Sequence, residues 1–265
     1  MFSIITACFN GASLLKLTIN SIINQDYSDY EYIIIDGGST DGSIQIIKEN
    51  ARFIDYWVSE PDQGIYDAMN KGIDFSRGNY LFFLNVGDEL FDRRVLSELA
   101  AQIHKEVFPE IIFGNVALLQ RGSGTEFIQS REYCDVVSLF FKPINHQSVF
   151  ASRKTLESKF NLNFKMLADY DWLMSQITKE DVHILYVDRI VSRYDLQGFS
   201  SSNSEILKPE LLAVRQLYFK HVFVYLLASI KGTKLMYILR IDFIRGWLNR
   251  HILKRNINRD FVANV

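Results

Sequence analysis

The 265-residue chain is 48% apolar with a formal net charge of -2, which provides for a buried core and argues against a nucleic-acid partner or a disordered chain. Cys8 and Cys134 have no metal-ligand spacing and form no disulfide framework, so a reducing cytosol is the plain reading. No apolar run reaches the ~20 residues of a membrane-spanning helix, and the first residues enter a strand without a basic leader, so the chain is expected in the cytoplasm.

Strand and helix patterns alternate from the start. Residues 3–7 read as a strand, leading through Asn10-Gly11 into a helix whose Leu14, Leu15, Ile19, Ile22 and Ile23 face inward. A second strand, 32–35, ends in the acidic turn Asp36-Gly37-Gly38-Ser39-Thr40-Asp41, and a helix with Ile44, Ile46 and Ile47 follows. Strand 56–58 precedes a helix carrying Ile65, Met69 and Ile73. The continuous apolar run 80–84 reads as a strand buried on both faces, and it stops at Asn85-Val86-Gly87-Asp88. A helix over 95–104 and a strand at 111–113 complete an α/β pattern of parallel strands with right-handed crossovers.

From 118 to 143 the pattern loosens, with Arg121-Gly122-Ser123-Gly124 as a turn or mobile loop. Strand-like 147–151, a helix through Trp172, Leu173 and Ile177, and two strands at 183–187 and 190–194 that pair with each other are expected next. From Leu207 the pattern is helical and basic, and Asp242 is the only acid between Arg215 and Arg255. Such helices lie on anionic bilayers; packing in a homodimer or in the core is the alternative. The expected division is 1–203, with halves 1–117 and 118–203, and a helical extension 204–265.

Ligands of open α/β sheets bind outside the carboxyl ends of the strands, so the two acidic turns point to one site. Asp88, with Asn85 nearby, suits a hard divalent ion held against a diphosphate. Asp36 suits a nucleobase or ribose, and Asp41 a helix cap. Thr6, Ala7 and Asn10 line the neighbouring crevice, and Asp67, Asn70 and Lys71 share a helix face suited to a sugar phosphate. Asp169 and Asp171 open a helix, where they complement its N-terminus or supply a general base, with Trp172 or Tyr170 as a sugar platform. His146, Arg193 and Tyr194 are further polar candidates for diphosphate or acceptor contacts.

In order and spacing these segments resemble the family 2 glycosyltransferases of GT-A fold, from Phe2 to Ser201, most closely the bacterial members that build surface polysaccharides. The resemblance implies a Rossmann-like, mostly parallel sheet flanked by helices, and an inverting transfer from a nucleotide sugar to a lipid-linked or growing glycan. It implies that Thr6 and Asp36 hold the nucleoside, that Asp88 is the metal aspartate of the DxD motif, and that Asp169 is the base. Mg²⁺ or Mn²⁺ is the implied cofactor, and the cytoplasmic face of the inner membrane the implied place. The chain departs from the pattern at Asn85, Gly87 and Ala168, where the family carries acids, and so leaves Asp169 and Asp171 both open as the base. A Rossmann dehydrogenase would need Gly-x-Gly-x-x-Gly after the first strand, and a sugar-nucleotide pyrophosphorylase a Gly-rich basic loop; neither is there. A non-catalytic nucleotide-sugar-binding subunit of an assembly complex is the alternative reading.

Overall fold

The computed structural model describes residues 1–103, 108–130, 134, 139, 143–179, 181–196 and 204–218. Strands β1 (Phe2–Cys8), β2 (Tyr30–Asp36), β3 (Tyr56–Ser59) and β4 (Tyr80–Phe83) alternate with helices α1 (Ala12–Ile23), α2 (Ser43–Glu49) and α3 (Ile65–Phe75). β1 lies between β2 and β4, β3 lies outside β2, and all three pairings are parallel. Every residue of β1 is buried, because successive side chains enter two different apolar layers. Ile5, Ala7, Ile33 and Ile35 meet Met69 and Ile73 of α3 on one side. Ile4, Tyr32 and Ile34 meet Leu15, Ile19 and Ile22 of α1 on the other.

The N-cap of helix α1 is Gly11, which has no side chain to cap it, a loss of roughly a few tenths of a kcal/mol, and the Asp41 carboxylate accepts the Ala12 N–H at 2.9 Å. Burial decides in its favour: each fully buried Leu or Ile contributes roughly 1.5–3 kcal/mol, and α1 buries three of them.

The second half adds β5 (Glu89–Leu90), α4 (Val95–Ile103), β6 (Ile111–Gln120), β7 (Thr125–Gln129), β8 (Val149–Ser152), α5 (Ala168–Ile177), β9 (Ile184–Asp195) and α6 (Ser204–Tyr218). Among the described residues nine strands form one sheet in the order β3-β2-β1-β4-β8-β6-β9-β5, with β7 paired to β6 off this path. β8 runs antiparallel to both β4 and β6, so the parallel Rossmann-like half continues into a mixed half.

Two expectations are corrected here. Residues 183–187 and 190–194 do not pair with each other; from Ile184 on they belong to the single strand β9, which runs parallel to β6. The polar pair Asp188-Arg189 imitates a turn in the sequence, but in the structure it sits at a register shift beside Gly114. A Cβ on Gly114 would lie 2.6 Å from the Arg189 carbonyl oxygen, so glycine is what admits this irregularity. The strand expected at 111–113 runs on to Gln120, and 121–124 is the tight turn of a hairpin into β7.

Helix α6 packs against α5, and Val214 is fully buried. Its Glu210 carboxylate accepts the backbone N–H groups of Lys165, Met166 and Leu167, just before α5 begins. The start of the expected extension thus holds the entry to a helix of the main domain. His104, the run 197–201 and everything from 219 onward, including the basic residues beyond Arg215, lie outside the described residues. Among the described residues no helix is long and apolar enough to cross a membrane.

Candidate active site

Because β1, β2 and β4 are parallel neighbours, their carboxyl ends open into one crevice. The loop after β4 is a tight turn in which the Asp88 N–H donates to the Asn85 carbonyl at 3.0 Å. Gly87 sits in that turn at φ 98°, a conformation that a side chain would strain. Asp88 is 5% exposed. Its Oδ2 accepts from Gln147 Nε2 at 3.0 Å and its Oδ1 from the Asp195 N–H at 3.4 Å. Burial pushes its carboxyl up to about 7, against the opposing effects of Gln147 and His146.

His146 and Gln147 lie in a single 3-10 turn, His146–Ser148, leading into β8. Since β8 pairs with β4, this turn is delivered to the end of β4. Asn85 Nδ2 lies 2.9 Å from His146 Nε2, and His146 Nδ1 lies 2.7 Å from Asp169 Oδ2. On the far side of Asp169, Oδ1 lies 2.7 Å from the Tyr66 hydroxyl and accepts the Tyr170 N–H at 2.8 Å. Asn85, His146, Asp169 and Tyr66 therefore form one hydrogen-bonded run joining β4, the turn before β8, α5 and α3. Burial opposes a charged His146, yet the Asp169 carboxylate outweighs it and raises the imidazole pKa. Tyr66 is raised well above its ordinary value by burial and by Asp169, so its phenol stays protonated. Under this run lies a small apolar cavity lined by Phe83, Ile144, Phe160, Trp172 and Leu173, with His146 and Asp169 on its wall.

Asp169 and Asp171 part company on α5. Two residues along a helix are turned by about 200°. Asp169 accordingly meets His146, while Asp171 Oδ1 accepts the Tyr218 hydroxyl of α6 at 2.9 Å. Burial raises the Asp171 carboxyl, against the pull of that hydroxyl.

Several other sequence candidates are committed elsewhere in the fold. Thr6 is fully buried, donating to the Leu84 carbonyl at 2.7 Å and accepting from the Tyr32 hydroxyl, and Ala7 belongs to the α3-side core. Asp36 Oδ2 accepts from Gly38 N–H, Ser39 N–H and Ser59 Oγ, and its Oδ1 from Ser39 Oγ. Burial raises this carboxyl, but the hydrogen bonds from Ser39 and Ser59 win and hold it below its ordinary value. The protein thus supplies Asp36 with donors at both oxygens, three of them at Oδ2. Asn10 laces the β1 and β2 loops together, its Oδ1 accepting from Thr40 N–H while its own N–H donates to Ser39 Oγ.

Asn70 grips the backbone of Phe160 with both ends of its amide, at 2.9 and 2.8 Å. Lys71 pairs with Glu60 at 2.8 Å and more distantly with Asp67, whose Oδ2 accepts the Gln63 N–H. Trp172 is 6% exposed and donates to the Thr155 carbonyl, which makes it a wall of the apolar cavity. Arg193 pairs with Glu126 of β7 and lies 4.3 Å over the Phe91 ring.

The structure also brings in residues that the sequence reading passed over. Phe9, directly after β1, is 65% exposed. Arg121, on the β6–β7 turn, donates to the Gly87 carbonyl at 2.8 Å and pairs with Glu89 and Asp195 at 3.0 and 2.7 Å. Gln147 stood beside His146, and Tyr66 between Ile65 and Asp67, so adjacency to residues already singled out was the available signal.

Over residues 3–162 the chain matches the family described as Glycosyl transferase family 2. The PGL/p-HBAD biosynthesis glycosyltransferase of Mycobacterium bovis (strain BCG / Pasteur 1173P2) is 31% identical over 220 residues, which cover 80% of this chain and 82% of that relative. An uncharacterized glycosyltransferase of Haemophilus influenzae is 25% identical over 191 residues, covering 70% and 75%. The structure of S. aureus TarS 1-349 in complex with UDP-GlcNAc matches with a TM-score of 0.66 at 15% identity, over 82% of this chain and 65% of that one. Mannosyltransferase PcManGT from Pyrobaculum calidifontis, in complex with GDP-Man and Mn²⁺, matches with a TM-score of 0.57 at 14% identity, over 96% and 81%. At these identities the two structural likenesses speak for the fold alone.

Proposed function

The chain belongs to glycosyl transferase family 2, and on that premise we propose that it moves one sugar from a UDP-sugar to a hydroxyl of a lipid-linked or growing surface glycan, with inversion at the anomeric carbon. The observation that carries this reading is the run Asn85–His146–Asp169–Tyr66, which joins the strand end of the donor half to a carboxylate at the start of α5. Asp169 is the base of the reaction. It takes the proton from the acceptor hydroxyl as that oxygen attacks C1 of the donor sugar, and the C1–O bond to the diphosphate breaks on the opposite face. Hydrogen bonds from His146 and Tyr66 orient the carboxylate and leave it a lone pair on Oδ2 for this proton. The commitment of Asp171 to Tyr218 supports Asp169 over Asp171 in this role. Phe9, exposed at the end of β1, offers a ring face for the nucleobase.

Enzymes of this family and fold generally use a divalent metal, and the Pyrobaculum neighbour was solved with Mn²⁺. The oxygens at the end of β4 suit such an ion. Asn85 Oδ1 is buried without a hydrogen-bond partner, and Asp88 is held directly by neutral donors. Among the described residues no group of three His, Cys, Asp or Glu is arranged for a metal, so the donor phosphates would complete a shell begun by Asn85 and Asp88. When bound, Mg²⁺ or Mn²⁺ supplies positive charge to the departing diphosphate.

The test is UDP release from a panel of UDP-sugars with Mn²⁺ or Mg²⁺, for wild type and Asp169→Asn. General-base catalysis is worth roughly 10²–10⁴-fold, about 3–5 kcal/mol of barrier. Asp169→Asn should lose that much rate while UDP binding stays within about threefold of wild type, a shift below about 0.7 kcal/mol. An Asp169→Asn enzyme of undiminished rate would refute the assignment. Wild-type protein that binds UDP and turns over no donor would favour the binding-subunit reading instead.

A further inference from the structure

His146 is hydrogen-bonded through both ring nitrogens, and its two partners belong to opposite sides of the proposed reaction. Asp169 Oδ2, 2.7 Å from Nδ1, is an acceptor, so Nδ1 carries a proton. In the neutral ring Nε2 is then a bare acceptor, and it meets the NH₂ of the Asn85 amide at 2.9 Å. That choice turns Asn85 Oδ1 away from the ring and leaves it buried without a partner. The ring thus decides two things together: where the Asp169 carboxylate points, and which end of the Asn85 amide is left for a ligand. The turn that carries His146 is fixed from beneath, since Ser192 Oγ donates to the Gln147 carbonyl and Ser148 Oγ to the Asn145 carbonyl.

We propose that His146 is a positioning residue linking the base Asp169 to Asn85 at the end of β4, so that acceptor activation and donor placement depend on one ring. This deepens the glycosyltransferase reading and rests on it. Its two arms can be severed separately. The side-chain amide of asparagine falls near Nδ1 and can still donate to Asp169, whereas that of glutamine reaches the Nε2 position and can still meet Asn85.

The experiment compares wild type, His146→Asn and His146→Gln by three measurements: thermal midpoint, UDP affinity by calorimetry, and rate of UDP release from UDP-GlcNAc and other UDP-sugars. Misplacing a catalytic group by about 1 Å costs on the order of 10²-fold. His146→Gln should lose about that factor in kcat with unchanged UDP affinity, whereas His146→Asn should keep most of kcat and bind UDP severalfold more weakly in the presence of Mn²⁺. Equal rates for the two variants, or a faster His146→Gln, would overturn the proposal, because a space-filling role favours the longer side chain. A second readout needs no turnover: in ¹⁵N-histidine-labelled wild type, one ring should show a protonated Nδ1 with a downfield proton. That resonance should vanish in His146→Gln and move upfield in Asp169→Asn. An unprotonated Nδ1 at His146 would refute the link even in an inactive sample. Wild type that neither binds UDP nor releases it would count against the glycosyltransferase site itself, while an active wild type with an equally active His146→Gln would sink only this inference.

Discussion

Glu210 lies beyond residues 3–162, yet the geometry makes it a determinant of the helix that carries the proposed base. Its Oε1 accepts Lys165 N–H at 2.6 Å, and its Oε2 accepts Met166 and Leu167 N–H at 2.9 and 3.0 Å. Glu210→Ala removes all three acceptors at once. Water can replace the carboxylate at the exposed Lys165 amide, so that bond contributes little. Met166 and Leu167 are 7% and 8% exposed, and leaving each of their N–H groups poorly satisfied costs roughly 1–2 kcal/mol. The predicted loss is about 2–4 kcal/mol, or about 5–15 °C in Tm for a domain of this size. Scanning calorimetry with circular dichroism measures it, and Glu210→Gln, which keeps an acceptor oxygen without the charge, should fall between the two. Asp169 is the second residue of its helix, two after Leu167, so UDP release should also slow by about tenfold at a temperature where the variant is folded. A midpoint within about 1 °C of wild type would show that the carboxylate does not hold this segment, and the link from α6 to the site would fall with it.

The remaining predictions concern one carboxylate, one glycine and the basic tail. Burial raises the Asp171 carboxyl in the fold, so its contribution to stability is fully present below the unfolded pKa of about 3.9 and is lost as pH rises through the folded value. Asp171→Asn, which can still accept from Tyr218, should therefore be at least as stable as wild type at pH 7 and keep its activity; thermal melts from pH 4 to 8 and the UDP-release assay check both. Gly114→Ala would place a Cβ 2.6 Å from the Arg189 carbonyl, where no side chain can yield, and overpacking of this kind costs about 1–3 kcal/mol in urea unfolding. The basic run beyond Arg215 is proposed to hold the enzyme on anionic membranes. Deleting residues 219–265 should abolish flotation with phosphatidylglycerol liposomes, and flotation that survives the deletion removes that proposal.

What the sequence made legible was local. Strands β1, β2 and β4 follow from apolar runs ended by Gly-containing turns, because a strand buried on both faces leaves a mark in its own residues. Strand β7 leaves no such mark: it is exposed along nearly its whole length, so nothing in its pattern separates it from a loop. In β9, Asp188-Arg189 interrupts the apolar residues as a turn would, and only the missing side chain of Gly114, on another strand, makes room for the irregularity.

The same distinction runs through the site. That acids end β2 and β4 was readable; how many of their lone pairs the protein already uses was not. Asp36 shows the difference, since the serines whose hydroxyls donate to it stand three and 23 residues away. One of those was within reach, because Asp36 followed by Ser39 is the pattern of a carboxylate that bonds its own turn. Asn70 was beyond reach, because its partner lies 90 residues on. The run through Asn85, His146, Asp169 and Tyr66 is built from separations of 61, 23 and 103 residues. Spacing could nominate three of these four residues singly, and only the pairing of β8 with β4 makes them one device. If the device works as argued, the chemistry of this enzyme is set less by the acid count of its β4 loop than by the antiparallel strand inserted beside it.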